Sequence, residues 1–197
     1  FIRRSLSLAK FRAYRDEASR KYLAQIGFYS AQDRVCPDVV FGLPPVPAPS
    51  SGRGDRRRII GVGLKDSTSQ SNSELQLREY LEAMVAFVVS LQHKGYAVRL
   101  LIGDTKYDTV IVTRFVEMLR ERNFPAGEPY LLVEPASNVE TLLRQIAETD
   151  VVISARYHNL VMAMLHGKPV IVVSDHPKFD SLATETGLGR YLVPMAS

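Results

Sequence analysis

The sequence predicts an α/β protein built on a parallel sheet, and two observations carry the prediction. From Ile59 onward, five short apolar runs alternate regularly with helical stretches. Those runs, such as Ile59-Ile60-Gly61-Val62 and Val170-Ile171-Val172-Val173, are near-continuously apolar, as strands covered by helices on both faces should be. With 197 residues, 46% of them hydrophobic, the chain can bury a core of that kind.

Taken in order, residues 1–43 read as a helix end (Phe1 to Leu8), a short strand (Phe11 to Tyr14), a helix (Glu17 to Ile26) stopped by Gly27, and a second strand (Val39 to Phe41). That is too little to close a core. The first residue is Phe1 rather than Met, and Phe1-Ile2-Arg3-Arg4 reads like the middle of an amphipathic segment, so part of a longer protein is expected to precede it. Residues 44–58, PPVPAPSSGRGDRRR, read as an exposed linker, because Pro, Ser and Gly at that density suit neither helix nor strand. Residues 59–197 then form one α/β unit. Its strands are Ile59 to Leu64, Ala97 to Ile102, Tyr130 to Val133, Val151 to Ser154 and Val170 to Val173. Its helices are Ser73 to His93, Thr109 to Arg122, Val139 to Glu148, His158 to His166 and Phe179 to Thr186. Ser73 and Gln76 resemble a capping box, and Gly95 ends the long helix. Along that helix Leu77, Leu81, Met84, Val85 and Val88 recur at three- and four-residue steps, which gives one buried face.

Composition removes several function classes. The single Cys36 excludes an internal disulfide, makes a cytoplasmic location the default, and reads as a small buried side chain rather than a catalytic thiol. No apolar run approaches the ~20 residues of a membrane span. The net charge of +4 suits an anionic partner but does not imply nucleic acid, and none is expected. Much of the excess is local, at Arg53, Arg56, Arg57 and Arg58. This basic stretch is either a solvated linker or a contact for phosphate, nucleic acid or lipid headgroups, the last with the protein peripherally at the inner face of a membrane.

In sheets of this kind ligands bind at the carboxyl ends of the strands, here just after Leu64, Ile102, Val133, Ser154 and Val173. The richest of these points is Ser154-Ala155-Arg156-Tyr157-His158-Asn159, running straight into a helix. It brings a cation, an aromatic ring, an imidazole and unpaired helix N–H groups together, which favours an anion. The structural alternatives are that Arg156 only pairs a carboxylate and His158 only caps the helix. The next strand ends in Ser174-Asp175-His176-Pro177-Lys178, where Lys178 is either a second cation of the same cleft or a solvated lysine. Glu185 either accepts from a ligand hydroxyl or is simply exposed. Gly61-Val62-Gly63 is not a dinucleotide fingerprint, since Asp66 stands where glycine is required. His93, His158, His166 and His176 lack metal-ligand spacing, and no Asp-x-Asp pair is present, so no metal and no cofactor are expected.

The stretch from Asp150 through Arg156-Tyr157-His158 to Gly167-Lys168-Pro169, continuing into Pro177-Lys178 and Glu185-Thr186-Gly187, resembles the polysaccharide pyruvyl transferase family. That family carries Arg-Leu-His, a small-residue helix and Gly-x-Pro in its C-terminal half. Arg15-Asp16-Glu17-Ala18-Ser19 is similar to a segment near the end of the family's first domain, and Asp38 to Leu43 to the strand that closes it. Tyr157 departs from the usual leucine. The resemblance implies the C-terminal half of a glycosyltransferase-B-like architecture of two facing Rossmann-like domains. Residues 1–43 would then be closing elements of a truncated first domain, and this chain by itself would be inactive.

The implied reaction moves a pyruvyl group from phosphoenolpyruvate to two hydroxyls of a sugar or glycan acceptor, forming a ketal and releasing phosphate. Two anionic groups on the donor call for at least two cationic clamps, a task suited to arginine. By match to the motif these are Arg156 and Arg15, with Lys178 third and Tyr157 and Glu185 shaping the substrate pocket. His158 is assigned general acid/base duty, steps suited to an imidazole. One alternative is a glycosyltransferase in which Arg156 and Lys178 clamp a nucleoside diphosphate and Glu185 meets a hydroxyl. The other is a non-catalytic module that holds an anionic glycan or membrane through the basic linker.

Overall fold

The computed structural model describes residues 2–47, 57–65, 74–102, 108–124, 129–174 and 176–195. The first segment holds α1 (Ile2–Ser7), β1 (Ala13–Tyr14), α2 (Glu17–Gln25), β2 (Arg34–Val35) and a 3-10 turn (Val39–Gly42). There follow β3 (Ile59–Gly63), α3 (Glu74–His93), β4 (Ala97–Leu100), α4 (Asp108–Glu121), β5 (Leu131–Val133), α5 (Val139–Ala147) and β6 (Val151–Ser154). The chain continues through α6 (Tyr157–Leu165), β7 (Val170–Ser174), α7 (Pro177–Glu185), a second 3-10 turn (Gly189–Tyr191) and β8 (Leu192–Pro194).

β1 and β2 pair in parallel as a sheet of their own, while the other strands form one six-stranded sheet in the order β5-β4-β3-β6-β7-β8, parallel throughout. Counted from β3, that is the doubly wound, Rossmann-like order, in which the chain winds outward from the centre first one way and then the other. The sheet therefore divides two apolar cores. One packs Leu81, Val85 and Val88 of α3 and Phe115 and Leu119 of α4 against Val62, Val98 and Leu100. The other packs Leu142 and Ile146 of α5, Leu160 and Ala163 of α6 and Phe179 of α7 against Val152 and Val172.

The expected α/β architecture is present, with six strands in the main sheet rather than five. Val39 to Phe41 is not a strand. Asp38 caps these residues through its carboxylate, which accepts from the Val40 N–H at 3.1 Å, and the Phe41 N–H turns back to the Asp38 carbonyl at 3.0 Å. The strand that pairs with β1 lies earlier, at Arg34 and Val35. α6 begins at Tyr157 with Arg156 as its N-cap, and α7 begins at Pro177 with His176 as its N-cap. Met84 is only partly buried, and Cys36 is half-buried rather than buried. The proposed cap Ser73, together with Arg53, Arg56, Asp66 and Asp175, lies outside the described residues. Arg57 stacks on Tyr130, 4.2 Å from the ring centroid. Among the described residues no helix is long and apolar enough to cross a membrane.

Candidate active site

β3 and β6 lie side by side, with Gly63 opposite Ser154. This is where the winding reverses, so the two chain segments leaving the sheet diverge and open a crevice at its carboxyl edge. Gly63 permits the close approach: a Cβ there would sit 2.1 Å from Ser154 Oγ and 2.5 Å from Asn159 Nδ2. Both side chains have work that holds them in place. Ser154 Oγ accepts from the Arg156 N–H at 2.9 Å, and Asn159 Nδ2 donates to the Leu101 carbonyl at 3.3 Å, tying the first turn of α6 to the sheet.

The crevice opens into a cleft of about 700 Å³ lined by residues from several elements. β3 leads into Lys65, α4 brings Asp108, the approach to α5 brings Ser137 and Asn138, and the first turn of α6 brings Arg156, Tyr157, His158 and Asn159. Lys178 enters from α7, and Arg15, Val40 and Leu43 from the N-terminal segment. Among the described lining residues four side chains are cationic, Arg15, Lys65, Arg156 and Lys178, against the single carboxylate of Asp108. A cleft so charged, walled by a helix N-terminus, concentrates anions.

Arg156 is held from two sides. Its Nε donates to the Leu64 carbonyl at 3.3 Å, and its Nη2 pairs with the Asp108 carboxylate, which is only 1% exposed. The carboxylate pairing foreseen as the structural alternative is thus present, and the same arginine still lines the cleft. As N-cap of α6, Arg156 makes no side-chain cap hydrogen bond. Asn138 and His176 do cap α5 and α7, accepting from the Thr141 and Lys178 N–H groups.

His158 is exposed in the first turn of α6, edge-on to Tyr157 with ring centroids 5.7 Å apart. It does not cap the helix. Lys178 is half-buried, with its Nζ 5.1 Å from the Phe179 ring centroid. Arg15 lies over the Tyr157 ring, 4.4 Å from the centroid. Burial pushes the Tyr157 phenol above its ordinary pKa, with Arg15 pulling the other way, so the hydroxyl is neutral at physiological pH. Burial also works against the Asp16 carboxylate beside Arg15, yet hydrogen bonds from Ser19 and the Arg15 charge hold it below the usual carboxylate range.

Five of the six residues singled out in the sequence therefore share one cleft: Arg15, Arg156, Tyr157, His158 and Lys178. Glu185 is not among the lining residues; its Oε1 accepts from the Glu17 N–H at 3.0 Å, at the start of α2. Lys65, Asp108 and Asn138 line the cleft as well, although the sequence does not single them out. Lys65 directly follows a strand end already marked as binding edge, so that rule reached its position. No local signal announces Asp108, whose role depends on an arginine 48 residues away.

The fold is also that of a solved structure of Staphylococcus aureus MnaA with UDP, matched with a TM-score of 0.59 and 14% sequence identity over 95% of this chain. The chain spans 47% of that structure's length. No curated protein matches the sequence. A family model for polysaccharide pyruvyl transferase matches residues 1–177, a span holding the whole Arg156-Tyr157-His158 turn, and the chain belongs to this family of transferases.

Proposed function

We propose that this cleft binds phosphoenolpyruvate and takes part in moving its pyruvyl unit to two hydroxyls of a sugar in a polysaccharide or glycan precursor. The observation that carries the reading is the grouping of Arg15, Lys65, Arg156 and Lys178 around an exposed His158 at the β3–β6 crevice. The donor has two anionic groups. Arg156, with the N–H groups of the first turn of α6, is the first clamp, Arg15 the second and Lys178 the third.

In the reaction His158 gives a proton to the methylene carbon of the donor, and positive charge develops at the adjacent carbon. An acceptor hydroxyl bonds there and loses its proton to a base, for which the now neutral imidazole serves. The bond to the phosphate oxygen then breaks, with the fixed cations stabilising the leaving group. The second hydroxyl closes the ketal. Of the two hydroxyl protons, one balances that now on the new methyl group and the other leaves with phosphate.

The test is phosphate release by the full-length protein, given phosphoenolpyruvate and a panel of hexosides bearing free diols. His158→Ala should lower turnover by about 10²- to 10⁴-fold with the melting temperature little changed. Near-normal turnover in that variant removes His158 from the chemistry. A second reading, a nucleotide-sugar enzyme, is favoured by the UDP named in the MnaA structure. In that case Arg156 and Lys178 clamp a diphosphate, and UDP rather than phosphoenolpyruvate is the ligand.

A further inference from the structure

We infer that Tyr157 acts on the donor through Arg15: its ring fixes the plane of the guanidinium, so that the in-plane N–H groups of Arg15 meet one oxyanion of the ligand. This rests on the donor reading above and deepens it, making Tyr157 a positioning residue.

Little of Tyr157 is left for a ligand. The residue is 9% exposed, with Arg15 over its ring, the Phe179 ring centroid at 6.2 Å and the His158 ring edge-on. Arg15, by contrast, is 40% exposed at its side chain and lines the cleft. Stacking uses the face of a guanidinium and leaves its N–H edges directed outward, the arrangement that suits a carboxylate or phosphate.

The other described contacts of Arg15 are two long ion pairs. Its nitrogens lie 3.6 Å from Asp16 Oδ2 and 3.7 Å from Asp38 Oδ2, too far for good hydrogen bonds. Each of those carboxylates is anchored by its own capping bond, Asp16 from the Ser19 N–H at 2.6 Å and Asp38 from the Val40 N–H at 3.1 Å. At these distances they hold the charge nearby and orient it less firmly than short hydrogen bonds would. With the ring removed, the guanidinium is free to drop onto these acids and leave the cleft.

The experiment compares Tyr157→Leu, Tyr157→Phe, Arg15→Met and the Tyr157→Leu/Arg15→Met double variant in the full-length protein. KM and kcat for phosphoenolpyruvate are measured, together with inhibition by inorganic phosphate and by pyruvate. Tyr157→Leu should raise KM roughly five- to tenfold, with a much smaller change in kcat. Tyr157→Phe, which keeps the ring, should recover most of that loss, and the double variant should be no worse than Arg15→Met alone. Weaker inhibition by pyruvate in Tyr157→Leu identifies the carboxylate as the group Arg15 meets, and weaker inhibition by phosphate identifies the phosphate. An unchanged KM in Tyr157→Leu overturns the inference, as do additive effects in the double variant or a Phe variant as poor as the Leu variant. If Tyr157→Leu does not fold, Tyr157→Phe and Arg15→Met still decide: a Phe variant that loses affinity, or an Arg15→Met variant that keeps it, overturns the inference. Wild-type protein that neither binds nor turns over phosphoenolpyruvate removes the donor reading and this inference with it. Turnover with the Tyr157 variants unaffected removes this inference alone.

Discussion

A single hydrogen atom at Gly63 sets how closely β3 approaches the first turn of α6. Ser154 Oγ and Asn159 Nδ2 fill the space a Cβ would take, and both are held by hydrogen bonds. Gly63→Ala should therefore destabilise the fold by about 1–3 kcal/mol, the usual range for overpacking a fixed site. Gly61→Ala should cost less, because its contacts, at 3.0 Å or more, are methyl ends of side chains such as Leu101 and Thr149. Chemical denaturation of both variants checks the order, and an equal cost would show that Ser154 and Asn159 can yield. At this scale the site was partly legible in the sequence. Arg156, Tyr157 and His158 are consecutive after a recognisable strand, so position alone marked them. For Glu185 the sequence leaves a ligand contact and simple exposure open; the residue is exposed, and its partner, the Glu17 N–H, lies 168 residues away, a contact no local pattern announces. Arg99 was hidden in an apolar run. It is 7% exposed and its charge is met by Glu134 at 3.0 Å and Glu148 at 2.7 Å, partners from two other segments.

At the scale of elements, buried strands and amphipathic helices were readable because period and apolarity are local properties. α3 buries Leu77, Leu81, Val85 and Val88, four of the five residues its spacing picked out. Val39 to Phe41 has strand composition, but Asp38 takes the backbone into a 3-10 turn, a competition that short polar side chains often win. β8 is only three residues ending in Pro194, which has no N–H and suits the edge position it occupies beside β7. The first N-terminal strand lies inside the Phe11 to Tyr14 run read from the sequence, while its partner Arg34–Val35, two residues long, is below what periodicity can detect. α2 offers the clearest test of a cap. Asp16 accepts from the Ser19 N–H at 2.6 Å, so Asp16→Ala should cost about 1 kcal/mol at pH 7. The folded-state pKa of Asp16 lies below its ordinary value, so this stability is present above the ordinary carboxylate range and is lost as pH falls below that range, through the lowered folded-state value. Melts carried from pH 7 to well below about pH 4 should show a gap between wild type and variant that holds to the ordinary carboxylate range and closes only at the acid end, and a gap that persists there would mean the ionised carboxylate is not what matters.

At the scale of the whole molecule, the strand order decides where function sits. An alternation of strands and helices does not by itself say which strands become neighbours; the order β5-β4-β3-β6-β7-β8 places β3 beside β6 and so puts Lys65 near Arg156 at one crevice. The N-terminal segment completes one wall. Val40 and Val46 pack on the apolar cluster of α5 to α7, Glu185 holds the start of α2, and Arg15 reaches Tyr157. The proposed selection of phosphoenolpyruvate by the cleft so assembled is open to a thermal-melting test with competing ligands. At about 100 times its Kd a ligand adds about 2.7 kcal/mol, which for a chain of this size raises the melting temperature by roughly 5–10 °C. The expected result is such a rise with phosphoenolpyruvate, its loss in Arg156→Gln, and no comparable rise with UDP. A rise with UDP and none with phosphoenolpyruvate would contradict it.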